Sequence, residues 1–277
     1  GAFSLEDAYI GYKMGDNWEG FTVLVGQMKV PMLREYLVHS MDQLAIERSY
    51  ISTISPAASR TQGIALDYRN DMFHAVVAVT DGAAGANSPW SVEDTEYSLS
   101  GRVEVLLSGE WDQFNDFTSR QGSAQGVMVG GGIHYQTGEY GTVTPDELTV
   151  LVATADVSFE FDGGNVFAAF YYNSYDDDAL IDRDEYGFVV QGGYYFTETI
   201  EAFARYEWYD FDQQNAEDVN LLTVGVNAHY TDNLKASADF GYALDAIATG
   251  NDLTGFRADA ADEDGQWVIR TQLQLLF

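Results

Sequence analysis

Along the last twelve residues, Gln266–Phe277, apolar and polar positions alternate. Trp267, Ile269, Leu273, Leu275 and Phe277 are apolar, while Arg270, Gln272 and Gln274 are polar. Successive side chains of a strand point to opposite faces, so a period of two predicts a strand with one apolar and one wet face. The same alternation recurs along the whole chain and predicts twelve further strands. They are Glu6–Lys13, Phe21–Met28, Gly63–Arg69, Phe73–Thr80, Tyr97–Leu107, Val127–Gln136, Leu148–Phe161, Val166–Asn173, Tyr186–Phe196, Ile200–Tyr209, Val219–Tyr230 and Leu234–Ala243.

The connections largely alternate in length. Those near 70, 163, 198 and 232 are tight, and those at 30–61, 81–94, 137–146, 174–184, 210–217 and 244–264 are longer. Short turns at one end and long loops at the other are the asymmetry of outer-membrane barrels. Segment 109–125 is the exception, because it occupies a short-turn slot and is too long for one. The charges sit almost entirely on the polar face: Arg102, Glu104, Asp156, Arg205, Glu207, Lys235, Asp239 and Arg270. In a barrel these would line a wet lumen while the apolar set meets lipid. Aromatic residues gather near strand ends, at Tyr9, Tyr12, Tyr171, Tyr172, Tyr194, Tyr195, Phe196, Trp208, Tyr209, Tyr230 and Phe277, where amphipathic rings favour the headgroup level. The pattern predicts an all-β protein, a single transmembrane antiparallel β-barrel over residues 1–277. A soluble all-β protein is the alternative.

Composition narrows this further. The chain has 277 residues and no Cys, so disulfides and thiolate chemistry are excluded. No run approaches the roughly 20 apolar residues of a membrane helix. Net charge is −31, which argues against a nucleic-acid partner; a soluble halophile protein would also be this acidic. Bacterial single-chain barrels have even strand numbers with both termini periplasmic. Thirteen visible strands therefore predict an odd number before Gly1, for a total of fourteen or sixteen.

One long connection carries a more specific signal. Gly26-Gln27-Met28-Lys29-Val30-Pro31, Arg34-Glu35, Glu47-Arg48-Ser49 and Ser59-Arg60 resemble the phosphate-selective porin O and P family, as do Asp7–Tyr12 and the Tyr68–Asp71 hairpin. The resemblance is specific over about residues 7–82. It implies a sixteen-stranded homotrimeric porin of the bacterial outer membrane, passing small hydrophilic solutes and ions. It also implies that loop 30–61 folds into the lumen as a constriction. Lys29, Arg34, Glu35, Glu47, Arg48 and Arg60 would line the pore or, as ion pairs, pin the loop. The terminal Phe277 resembles the signal read by the barrel-insertion machinery.

Phosphate preference does not follow from the resemblance, because the chain has 13 Lys+Arg against 44 Asp+Glu. A field of this sign attracts cations to the mouths. The expectation is weak cation preference or little selectivity. The alternatives are a phosphate- or anion-selective porin, or a structural envelope barrel with an occluded lumen. Lumen-side glycines such as Gly130, Gly132, Gly193, Gly225 and Gly241 either leave open space or admit the loop against the wall. No cofactor is expected. The acidic loops, with Asp176, Asp178, Asp182 and Asp184, are of the right ligand type for calcium, or else hold divalent cations loosely beside lipopolysaccharide. The four histidines, His39, His74, His134 and His229, lie on separate segments, and no nucleophile motif accompanies them. Catalysis is not expected.

Overall fold

A computed structural model describes every residue except 1–4, 84, 88–94, 141–145, 178–181, 213–217, 232, 248–253, 258–263 and 276–277. Thirteen strands form one antiparallel sheet in sequence order. They are β1 (Ala8–Lys13), β2 (Phe21–Lys29), β3 (Arg60–Arg69), β4 (Phe73–Thr80), β5 (Thr95–Ser108), β6 (Gly126–Tyr140), β7 (Asp146–Phe161), β8 (Gly164–Asp177), β9 (Arg183–Tyr195), β10 (Ile200–Asp210), β11 (Val219–Thr231), β12 (Leu234–Ala243) and β13 (Trp267–Leu275). Every strand read from the alternation is present. Most run longer than predicted, because ladder hydrogen bonds continue after the apolar alternation stops. Thus β6 and β7 pair as far as Tyr140↔Asp146, across residues that the pattern left as loop. The tightest hairpin behaves as its sequence requires. Phe161 pairs with Gly164 across Asp162-Gly163, and Gly163 has φ +76°, a conformation that glycine adopts without steric cost.

The outer face is apolar. Ile64, Ile133 and Leu273 are 58%, 51% and 73% exposed, and Val103, Val190, Val226 and Ile269 are likewise exposed between the two rims. Rings pair on this face near the strand ends, as in Tyr172–Tyr186, Tyr97–Tyr135 and Tyr194–Phe196. Three residues assigned to this girdle point the other way. Tyr171, Tyr195 and Tyr209 are buried on the inner face, because each falls at a position of the strand repeat that faces inward. Tyr209 hydrogen-bonds there to Glu185 and Asn173. Phe277 lies outside the described residues.

The connection 30–59 sits inside the curve of the sheet. Its backbone carbonyls accept hydrogen bonds from β5, β10, β11, β12 and β13. For so many strands to touch one loop, the sheet must wrap around it. The fold is a transmembrane antiparallel β-barrel with an inward-folded loop.

Candidate functional site

The loop leaves β2 after Lys29 and contains two short α-helical turns, α1 (Arg34–Leu37) and α2 (Tyr50–Ile54), with a 3-10 turn at Ser40–Asp42 between them. Ser49 caps α2, its Oγ accepting from the Ser52 amide. Val30, Met32, Leu33, Tyr50, Ile51 and Ala57 are almost wholly buried. They pack on inward side chains of the wall, among them Val152, Phe167, Tyr171, Val189 and Leu221. One side of the interior is therefore an apolar core. A sequence signal for it exists in Val166–Tyr171, which is apolar at every position. A strand buried on both faces reads as a continuous apolar run.

The residues expected to line the lumen do point inward; all but Lys235 and Arg270 are buried, and several hold the loop. Arg102 binds Asp156 through two nitrogens (2.7 and 2.8 Å), Glu104 at 2.9 Å, and the Met32 carbonyl at 3.0 Å. Arg205 lies 2.9 Å from Glu207 and donates to the carbonyls of Glu47 (2.8 Å) and Arg48 (3.3 Å). Lys235 donates to the Gln43 carbonyl. Arg270 bonds Asp239 at 2.6 Å, and the other oxygen of Asp239 accepts from the Ile46 amide. These are charge-assisted bonds from a rigid wall to loop backbone.

Most of the loop's own charges bind backbone atoms and not opposite charges, Glu35 excepted, which also lies 3.8 Å from Arg205. Lys29 donates to the carbonyls of Tyr36 and Leu37, and Arg48 to those of Glu35 and Val38. The Glu35 carboxylate accepts from the amide and hydroxyl of Ser49. Arg34 donates to the Phe114 carbonyl and lies 5.5 Å from the Phe117 ring. The carboxyl of Glu47 is held above its ordinary range by burial. Among the described residues, two of the six pair with an opposite charge on another element: Arg60 binds Glu6 and Asp7, and Glu35 pairs with Arg205. Sequence order hides this, because backbone carbonyls leave no signature in side-chain identity.

The inward glycines admit the filling. A Cβ on Gly132 would stand 2.9 Å from Met32 O, and one on Gly193 would stand 3.0 Å from Leu44. They bring the loop against the wall and do not widen the lumen there.

Open space remains on the other side, between the loop and β1–β5. A cavity of about 680 Å³ is lined there by Lys29, Arg34, Arg69 and Arg102, by Asp7, Asp42, Asp67 and Glu104, and by His74. His74 sits between Asp67 (2.9 Å) and Glu104 (2.8 Å). Among the described residues, Lys29, Arg34 and Arg69 have no carboxylate within ion-pair distance, whereas Asp67 and Glu104 are bonded to His74, and Glu104 also to Arg102.

Segment 109–125 packs against the barrel through polar and apolar contacts, at the end where the tight turns lie. Trp111 bonds the carbonyl of Asn70, Gly122 bonds Asp162, and Gln121 bonds the carbonyl of Tyr195. Phe114 and Phe117 are buried. Burial raises the Asp116 carboxyl to about 6, opposed by the Thr118 amide and reinforced by Asp42 and Glu201.

Two further groups of polar side chains lie apart from the loop. Ser100 Oγ and His134 Nδ1 are 2.7 Å apart, a pair that the sequence reading missed, but both residues are fully buried and His134 Nε2 faces Gln136. Of the acidic candidates, Asp178 is outside the described residues. Asp182 accepts from the Asp177 amide and Asp184 from the Tyr172 hydroxyl; Asp176 lies in β8. Among the described residues, no group of three or more His, Cys, Asp or Glu is placed to hold a metal ion.

A barrel with an apolar outer band, an inward constriction loop and a charged cavity beside it is the arrangement of an outer-membrane porin, a channel. Residues 2–260 match the family described as putative beta-barrel porin-2, OmpL-like, and the chain belongs to that family. No curated protein matches it in sequence. Among solved structures it is similar to in-vitro folded OmpT, an outer membrane protein of Vibrio cholerae, with TM-score 0.57, 15% identity and coverage of 94% of this chain and 77% of that one. The trimer form of OmpT gives TM-score 0.57 and 13% identity, covering 99% and 79%. The anion-selective porin from Comamonas acidovorans gives 0.56 and 13%, covering 92% and 73%. At these identities the likeness is one of fold. The family match is to an OmpL-like porin, so the resemblance to the O and P family carries to the level of porin.

Proposed function

We propose that the chain is a weakly selective diffusion porin whose solutes pass along the β1–β5 side of the loop. The observation that carries this is the cavity there, with four Lys or Arg and four Asp or Glu on its lining. Opposed charges across a constriction create a transverse field that favours small hydrophilic solutes over apolar ones and leaves little net preference for either ion sign. The acidic exterior adds a bias toward cations at the mouths. A homotrimer is the assembly we propose, in line with the trimer form of the similar OmpT.

A second reading is anion preference, extending to phosphate as in the resembling O and P family. It is favoured by Lys29, Arg34 and Arg69, cations that face the cavity without a carboxylate partner among the described residues. The test is the reversal potential across a planar bilayer in a potassium chloride gradient, repeated with phosphate added. A small cation-sided potential without phosphate block supports the first reading. An anion-sided potential with phosphate block replaces it with the second. Absence of conductance from folded protein overturns both.

A further inference from the structure

The tight turns mark the periplasmic end of the barrel. A residue span of 109–125 is not needed to join two adjacent antiparallel strands there, since two residues suffice elsewhere in the same sheet. The additional chain is neither loose nor turned outward. It crosses under the barrel, bonding in succession to the β3–β4 turn through Trp111, the β7–β8 turn through Gly122 and the end of β9 through Gln121. Ser119 adds a bond to the Phe161 carbonyl, and Thr118 adds one to the Glu201 carboxylate.

From this position the segment reaches up to the constriction loop. The Phe117 amide donates to the Asp42 carbonyl at 3.3 Å, and the Phe117 ring lies 4.8 Å from that of Phe167 inside the apolar core. Arg34 extends down from α1, donates to the Phe114 carbonyl and covers the Phe117 ring. Phe114 and Asn115 form part of the cavity lining itself. A loop entering from one end of the barrel and a segment entering from the other thus meet through Arg34, Asp42, Phe114 and Phe117.

We propose that residues 109–125 are a second constriction element, a periplasmic sill that sets the size limit of the pore together with loop 30–59, and that Arg34 is the positioning residue tying the two. The proposal rests on the diffusion-porin reading for what passes, but the sill itself is tested separately.

The experiment compares wild type, a variant with 111–123 replaced by a two-residue Asn-Gly turn, and Arg34→Met, all folded into lipid. Heat-modifiable electrophoretic mobility confirms the barrel in each. Single-channel conductance in potassium chloride is read together with liposome swelling in sugars of increasing size. Removing the sill frees the lower mouth of its cross-section, so conductance rises about twofold and a larger sugar enters, because both scale with the open area of the narrowest part. Arg34→Met keeps the segment's length and loosens the tie, giving a smaller rise with frequent transitions between conductance levels. If wild type does not conduct and the shortened variant does, the sill is a full closure: the proposal stands and open diffusion in the resting state fails. If both conduct equally and admit the same sugars, the proposal is overturned while the porin reading stands. If none of the folded proteins conducts, both are overturned. Should the shortened variant fail to fold, Arg34→Met decides, and a trace indistinguishable from wild type overturns the proposal.

Discussion

Arg205→Met is the most informative single substitution for the filled lumen. The Arg205 side chain is 3% exposed, and the carboxylates of Glu207 and Glu35 beside it are 1% and 0% exposed. Its guanidinium holds the carbonyls of Glu47 and Arg48. A hydrogen bond to a charged donor contributes about 1.5–3 kcal/mol. Breaking a buried pair from one side costs about 3–5 kcal/mol, because the remaining carboxylate has no counter-charge. These contributions overlap, so about 3–5 kcal/mol is the expected total. At about 1.4 kcal/mol per decade, local opening of the loop increases by about two to three and a half decades. Amide hydrogen exchange over residues 44–54 measures this directly, and urea unfolding in lipid vesicles measures its global share. The double variant Arg205→Met/Glu207→Leu removes both charges and recovers much of the loss. If Arg205→Met alone leaves exchange over 44–54 within threefold of wild type, the charge is not holding the loop, and the account of the wall given above is wrong.

Three further outcomes are expected. Gly132→Val drives a side chain into Met32, whose carbonyl lies 2.9 Å from the position of the new Cβ; overpacking of this kind costs about 1–3 kcal/mol, measured by urea unfolding and accompanied by faster exchange at the start of the loop. Ile133→Arg, on the exposed outer face, destabilises the folded barrel in lipid by about 2–4 kcal/mol and far less in a soluble all-β protein, so the same titration separates the two. Asp116 has its carboxyl raised to about 6 from an ordinary 3.8, so docking of segment 109–125 takes up a proton: its contribution is fully present below about pH 4 and is lost as pH rises through 6. Conductance should accordingly be lower at pH 5 than at pH 7, and Asp116→Asn should remove that dependence.

The wall of this barrel was legible because alternation is a strong local signal. Phe73–Thr80 and Leu234–Ala243 come out with the bounds that the pattern predicted. The inward sense of Arg102, Asp156, Arg205 and Asp239 followed from the same period. What those side chains bind was not legible, because their partners include main-chain atoms of Met32, Ile46, Glu47 and Arg48, which any sequence would supply. The apolar filling was visible in part, in the unbroken run Val166–Tyr171. Segment 109–125 stood out only by its length. Its contacts join places 40 to 80 residues apart in sequence, and no periodicity reports those.

The apolar side of the lumen also bears on how the protein is assembled. Phe167, Tyr171, Val189 and Leu221 face inward and are covered by the loop. A wall that closed without its loop would present this surface to a water-filled interior, losing the transfer free energy of several large side chains. Loop entry and wall formation therefore belong to one cooperative event. An empty barrel is not a resting stage on the way to the filled one, and the constriction is in place from the time the pore exists.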